Sequence, residues 1–186
     1  MGDYEWSRCM RKSLLLAVVF TTMVHSQVLN DARVLLAGKM EFGLSAVHVN
    51  GNDVQSARIG IGVVRGADAE CTVSMDRDKI IVGLNTEIAL RYRPDISITL
   101  GGQYQKSQQG ANAALTVSFP LNRFFSLYTG FTGNVILSSG STQTPVWYFS
   151  GINSFLSRGV ELFIEADPAI ASTANTMFAG GLRAYF

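Results

Sequence analysis

Few residues in this 186-residue sequence could do chemistry, and their spacing gives them little to do. Of its two histidines, His25 lies in an apolar amino-terminal stretch, which leaves His48 for the rest of the chain. With Ser45 and Asp53 nearby, His48 could serve as a base. A single His at a strand end is more often an interfacial side chain, apolar in body and polar at the tip. Glu161 and Glu165 share one parity of a strand-like run. Four residues of strand separate them by about 13 Å, too far for carboxylates that share a proton. Gly60-x-Gly62 opens no helix, so it is no phosphate loop. Asp76-Arg77-Asp78 lacks the remaining ligands of a calcium loop and reads as a solvated hairpin tip. Cys71 stands without a second cysteine after the apolar stretch, so neither an internal disulfide nor a cysteine-based metal spacing exists. The sequence therefore assigns no catalytic, cofactor-binding or metal-binding residue.

The elements that would position any site are of two kinds. Residues 13–24 form an apolar run preceded by Arg11 and Lys12, with Val24 and Ser26 suitably placed for cleavage before Gln27. A dozen helical residues rise only about 18 Å, short of a hydrocarbon core of roughly 30 Å. The expectation is a cleaved signal peptide over 1–26 and a single domain over 27–186. Asp3 and Glu5 are unusual in such a signal, and Met10-Arg11-Lys12 would be a more ordinary start. The segment removed holds Arg8, Arg11, Lys12, Asp3 and Glu5, which leaves twelve cations and twelve acids. A neutral chain has no electrostatic footprint for nucleic acid. Only 16% of residues are charged, against about 25% in soluble domains.

The remainder is strand-like. Apolar-alternating runs occupy about 35–48, 54–65, 80–92, 96–104, 111–119, 125–137, 146–155, 159–167 and 175–186, with a tenth expected within 69–76. Turn clusters such as Asn50-Gly51-Asn52-Asp53, Arg93-Pro94-Asp95 and Ser157-Arg158-Gly159 separate them. The parity holding Met40, Phe42, Leu44, Ile59, Ile61, Val82, Leu84, Leu162 and Ile164 is greasy. Eight strand-interior charges, Lys39, Glu41, Arg58, Glu87, Arg91, Glu161, Glu165 and Arg183, all fall on the other. That other parity is also rich in small residues, including Gly43, Ser45, Gly60, Gly62, Gly83, Thr116, Gly130 and Thr132, as a narrow interior requires. Large rings on the apolar parity sit near strand ends: Tyr92, Tyr104, Phe119, Phe125 and the terminal Phe186. The pattern is that of a closed, antiparallel, up-and-down transmembrane β-barrel of the bacterial outer membrane, all-β, with ten strands or else eight. The run 146–155 gives no register, because Trp147 and Phe149 oppose Val146, Tyr148 and Ile152.

Phe119-Pro120-Leu121-Asn122, Phe125-Ser126-Leu127-Tyr128 and Leu137-Ser138-Ser139-Gly140 resemble the YfaZ-type family of small outer-membrane proteins, over roughly residues 115–165. More loosely, the chain resembles OmpA/OmpX-type barrels. The resemblance implies an integral outer-membrane barrel in contact with lipid and with the barrel assembly machinery. The assembly signal would be carried by Phe186, Leu182 and Gly181, although Ala184-Tyr185-Phe186 lacks the second aromatic such barrels place two residues before the last. Five cations (Lys39, Arg58, Arg91, Arg93, Arg183) would face four acids (Glu41, Glu87, Glu161, Glu165) in a narrow, charge-paired lumen. Three functions remain open: a structural or interaction barrel, a narrow channel for small solutes or ions, and a lipid-modifying enzyme at the rim.

Overall fold

Alternation of greasy and polar residues dictates strands here, and closure of those strands satisfies every edge. The computed structural model describes residues 32–77, 79–106, 108–138, 140–171 and 174–186. The expected signal peptide over 1–26 lies outside the described residues. The strands are β1 (Met40–Val49), β2 (Asn52–Val64), β3 (Ala67–Asp76), β4 (Lys79–Arg91), β5 (Asp95–Gln105), β6 (Gln108–Pro120) and β7 (Phe125–Ser138). They continue as β8 (Ser141–Gln143), β9 (Val146–Ser157), β10 (Val160–Asp167) and β11 (Met177–Tyr185). Three-residue β8 only extends the tip of β7. The other ten form an antiparallel ring that closes where β6 meets β7 and β1 meets β11. Ten strands, not eight, make the barrel, and β3 is the tenth.

The ring is inside out relative to a soluble barrel. Among the described residues, 26 polar or charged residues are buried against 14 apolar ones. Leu84 and Ile164 are 63% and 67% exposed, whereas Glu161 and Asn153 are fully covered. Such an apolar outer belt belongs in lipid, not water. At the end that holds Phe186, exposed Tyr92, Phe119, Phe124, Phe125 and Phe186 form an aromatic girdle.

Two features break simple alternation. A bulge between Ala89 and Arg91 shifts the β4–β5 register, so Arg91 ends exposed rather than inward. In β9, Trp147 and Phe149 point inward and are 1% and 0% exposed, while Tyr148 and Ile152 face out. Both parities carry rings because this lumen is filled, not hollow. Glycines opposite make room: a Cβ on Gly130 would strike Phe149, one on Gly151 would enter the Tyr128 ring, and one on Gly181 would stand 2.6 Å from Phe163 Cε1.

Candidate functional site

The lumen is the only place where this fold gathers chemically able side chains among the described residues, and it has three zones. Toward the end opposite the termini, Val47, Val49, Val54, Trp147, Phe163, Met177 and Ala179 form an apolar plug. The connection between β10 and β11 folds over it: Ala169 and Ala174 pack on the cluster, and Trp147 Nε1–H donates to the Asn175 carbonyl at 2.9 Å. The wall of β5 to β7 is lined by uncharged groups such as Ser97, Gln103, Gln105, Asn112, Thr116 and Asn134. Asn112 Nδ2–H donates across to Asn85 Oδ1 at 3.0 Å.

The third zone, near the termini, is charged. Arg58 on β2 pairs with Glu41 on β1 (Nε to Oε1, 3.2 Å) and with Glu70 on β3. Arg183 on β11 pairs with Glu161 on β10 at 3.5 Å and lies over the Phe163 ring, 5.0 Å from its centroid. Glu161 also accepts from Tyr185 O–H at 3.1 Å and pairs with Arg33 at 3.5 Å. Asp68 and Glu87 face one another directly across β3 and β4.

Residues 32–39 form a strap across this mouth. Ala32 N–H donates to Ser118 Oγ of β6 at 3.0 Å, and Leu35 N–H donates to Asp68 Oδ2 at 2.8 Å. Arg33 stacks on Phe155 of β9, 4.3 Å from its centroid. Gly38 N–H then donates to the Gly62 carbonyl. The purpose of Gly60-x-Gly62 is now plain: a Cβ on Gly62 would collide with the Leu36 carbonyl, and one on Gly60 would press on Leu35. A recess of about 420 Å³ lies beside the strap, with Lys39, Tyr92, Arg158 and Phe186 among its lining residues.

Six of the nine charges expected inside are there: Glu41, Arg58, Glu87, Glu161, Glu165 and Arg183 are all buried. Lys39 is exposed in the strap, Arg91 is exposed past the bulge, and Arg93 is exposed in the turn after β4. Sequence reasoning missed Asp68 and Glu70 on β3 and Asp167 at the end of β10, all buried, and Asp76, read as part of a solvated tip, is buried too because it ends β3 on the inward parity. A signal existed: Asp68, Glu70, Thr72, Ser74 and Asp76 alternate strictly with Ala69, Cys71, Val73 and Met75. Among the described residues, buried acids therefore outnumber buried arginines by eight to two. Near-equal pairing inside the lumen does not hold.

His48, Asp53 and Ser45 do not assemble as one group. His48 is exposed, its Nδ1 2.7 Å from Asp53 Oδ1 in the first hairpin, while Ser45 points into the lumen. Of the residues read as an assembly signal, Leu182 and Phe186 face outward, and Gly181 faces inward against Phe163.

Fold and surface together define a transmembrane β-barrel of the bacterial outer membrane. No family model matches the chain, and no curated protein matches it in sequence. Solved structures do resemble it. An outer-membrane channel from Pseudomonas putida F1 superposes with a TM-score of 0.59 at 10% identity, covering 85% of this chain and 99% of that one. The KdgM porin gives a TM-score of 0.51 at 8% identity, covering 78% of this chain and 99% of its own. At such identities the likeness is one of fold.

Proposed function

We propose that this chain is a sealed barrel with a structural or interaction role in the outer membrane and is not a general pore. One observation carries the reading: the lumen is obstructed twice, by the apolar plug at one end and by the strap with its ion pairs at the other. Interiors of small barrels are filled by side chains, whereas open aqueous channels belong to barrels of about 16–18 strands. Proteoliposomes holding the refolded protein should not swell in isotonic sugars or amino acids. Swelling that falls off with solute size would replace this reading with the next.

The second reading is a narrow channel. It is favoured by the excess of acids on the lumen wall and by the fold shared with a protein named a channel and one named a porin. A wall of that charge would pass cations in preference to anions. A rim enzyme has less support, because Ser45 is buried in the lumen while His48 and Asp53 are exposed in the hairpin. Export by removal of residues 1–26, membership of the YfaZ-type family and recognition of the last strand by the assembly machinery belong to the same proposal. They rest on the apolar run at 13–24, the motifs within 115–165 and the terminal Phe186.

A further inference from the structure

Three carboxylates in the lumen stand close together, and keeping all three ionised and dry is costly without a counterion. Asp68 and Glu87 are direct cross-strand partners, and Glu70 lies two residues along β3 on the same face. They are 1%, 3% and 7% exposed, and their carboxylate oxygens lie within 4.8 Å of one another. Like charges directly opposite on neighbouring strands repel. We propose that Asp68, Glu70 and Glu87 hold a divalent, oxygen-preferring cation of the calcium class inside the lumen.

Two observations besides the clustering point to a ligand. Asp68 Oδ1 and Glu87 Oε1 are buried and have no hydrogen-bond partner, although buried polar atoms nearly always have one. The groups nearby are already committed: Asp68 Oδ2 accepts from Leu35 N–H, and Arg58 is shared between Glu41 and Glu70. The charge balance agrees. In this half of the lumen Glu41, Asp68, Glu70, Glu87 and Glu161 face Arg33, Arg58 and Arg183. With all five acids ionised, they exceed these three arginines by two, which is the charge of one divalent ion.

Donor chemistry selects the class. Three carboxylates with no imidazole or thiolate suit a hard cation, and Cys71 belongs to the opposite parity of β3. Calcium accepts irregular shells of carboxylate oxygens at about 2.3–2.6 Å. Magnesium requires a tighter octahedron. Because Asp68 also anchors the strap, the ion would hold both strap and wall.

The test uses the mature protein refolded in detergent and stripped with EDTA, with calcium chloride as the probe. Calorimetric titration should show one saturable site per chain, and the denaturation midpoint should rise and plateau with calcium. Magnesium should bind at least tenfold more weakly. Glu87→Gln and Asp68→Asn should weaken calcium binding at least tenfold while the EDTA-treated variants remain as stable as the parent, because repulsion is relieved. Glu165→Gln, on β10 across the ring and beside the plug, should leave binding unchanged. No calcium binding by the folded parent would overturn the site. Equal binding by Glu87→Gln, equal loss in Glu165→Gln, or a midpoint shift reproduced by sodium at equal ionic strength would overturn it too.

Discussion

Glu161 is fully buried yet serves three partners, Arg33, Arg183 and the Tyr185 hydroxyl. Removing one member of a buried ion pair leaves Arg183 charged and dry, so Glu161→Gln should lower unfolding free energy by about 3–5 kcal/mol. Lys39→Ala, at an exposed strap position, should stay within about 0.5 kcal/mol of the parent. Denaturant midpoints in detergent or lipid check both. Glycines give a second contrast. Gly151→Ala must displace the Tyr128 ring and should cost about 1–3 kcal/mol. Gly133→Ala meets nothing nearer than Val146 Cγ2 at 3.8 Å and should be neutral or slightly stabilising. At this scale the sequence was partly legible. Charge parity located Glu41, Arg58, Glu87, Glu161, Glu165 and Arg183 correctly on the buried face. Arg91 was misplaced because a bulge is not written in alternation, and Asp68 and Glu70 were left out because their strand was expected only as a short run within 69–76.

Strands were legible wherever one face met lipid and the other a polar wall, because that contrast repeats every second residue. Where the contrast fails, so did the reading. β9 carries rings on both faces because Trp147 and Phe149 fill the lumen. The strap over 32–39 has no period at all, since its backbone is held by Ser118, Asp68 and Gly62 from three different strands. The lipid-facing assignment can be tested within β4 alone. Leu84 lies mid-strand and Leu90 near its end, both outward and 63% and 56% exposed. Arg at Leu84 should cost about 2–4 kcal/mol, and Arg at Leu90 about 0–1 kcal/mol, as bilayer depth decreases. Refolding midpoints in lipid vesicles give the comparison, and equal costs would mean that this face does not lie in the hydrocarbon.

Among the described residues the molecule is a ring of ten strands whose outside is apolar and whose inside carries three kinds of contact: rings, amides and ion pairs. Closure satisfies every strand edge, which a bilayer demands. The two obstructions lie at opposite ends, so they act in series. Planar-bilayer recording of the purified mature protein is therefore the most direct measurement. The intact chain should give no steady conductance, and removal of residues 32–37 alone should leave it silent because the Trp147 plug remains. Removal of the strap together with Trp147→Ala should admit small, intermittent, cation-selective currents through the acidic wall. A large, stable conductance from the intact chain would contradict the sealed lumen.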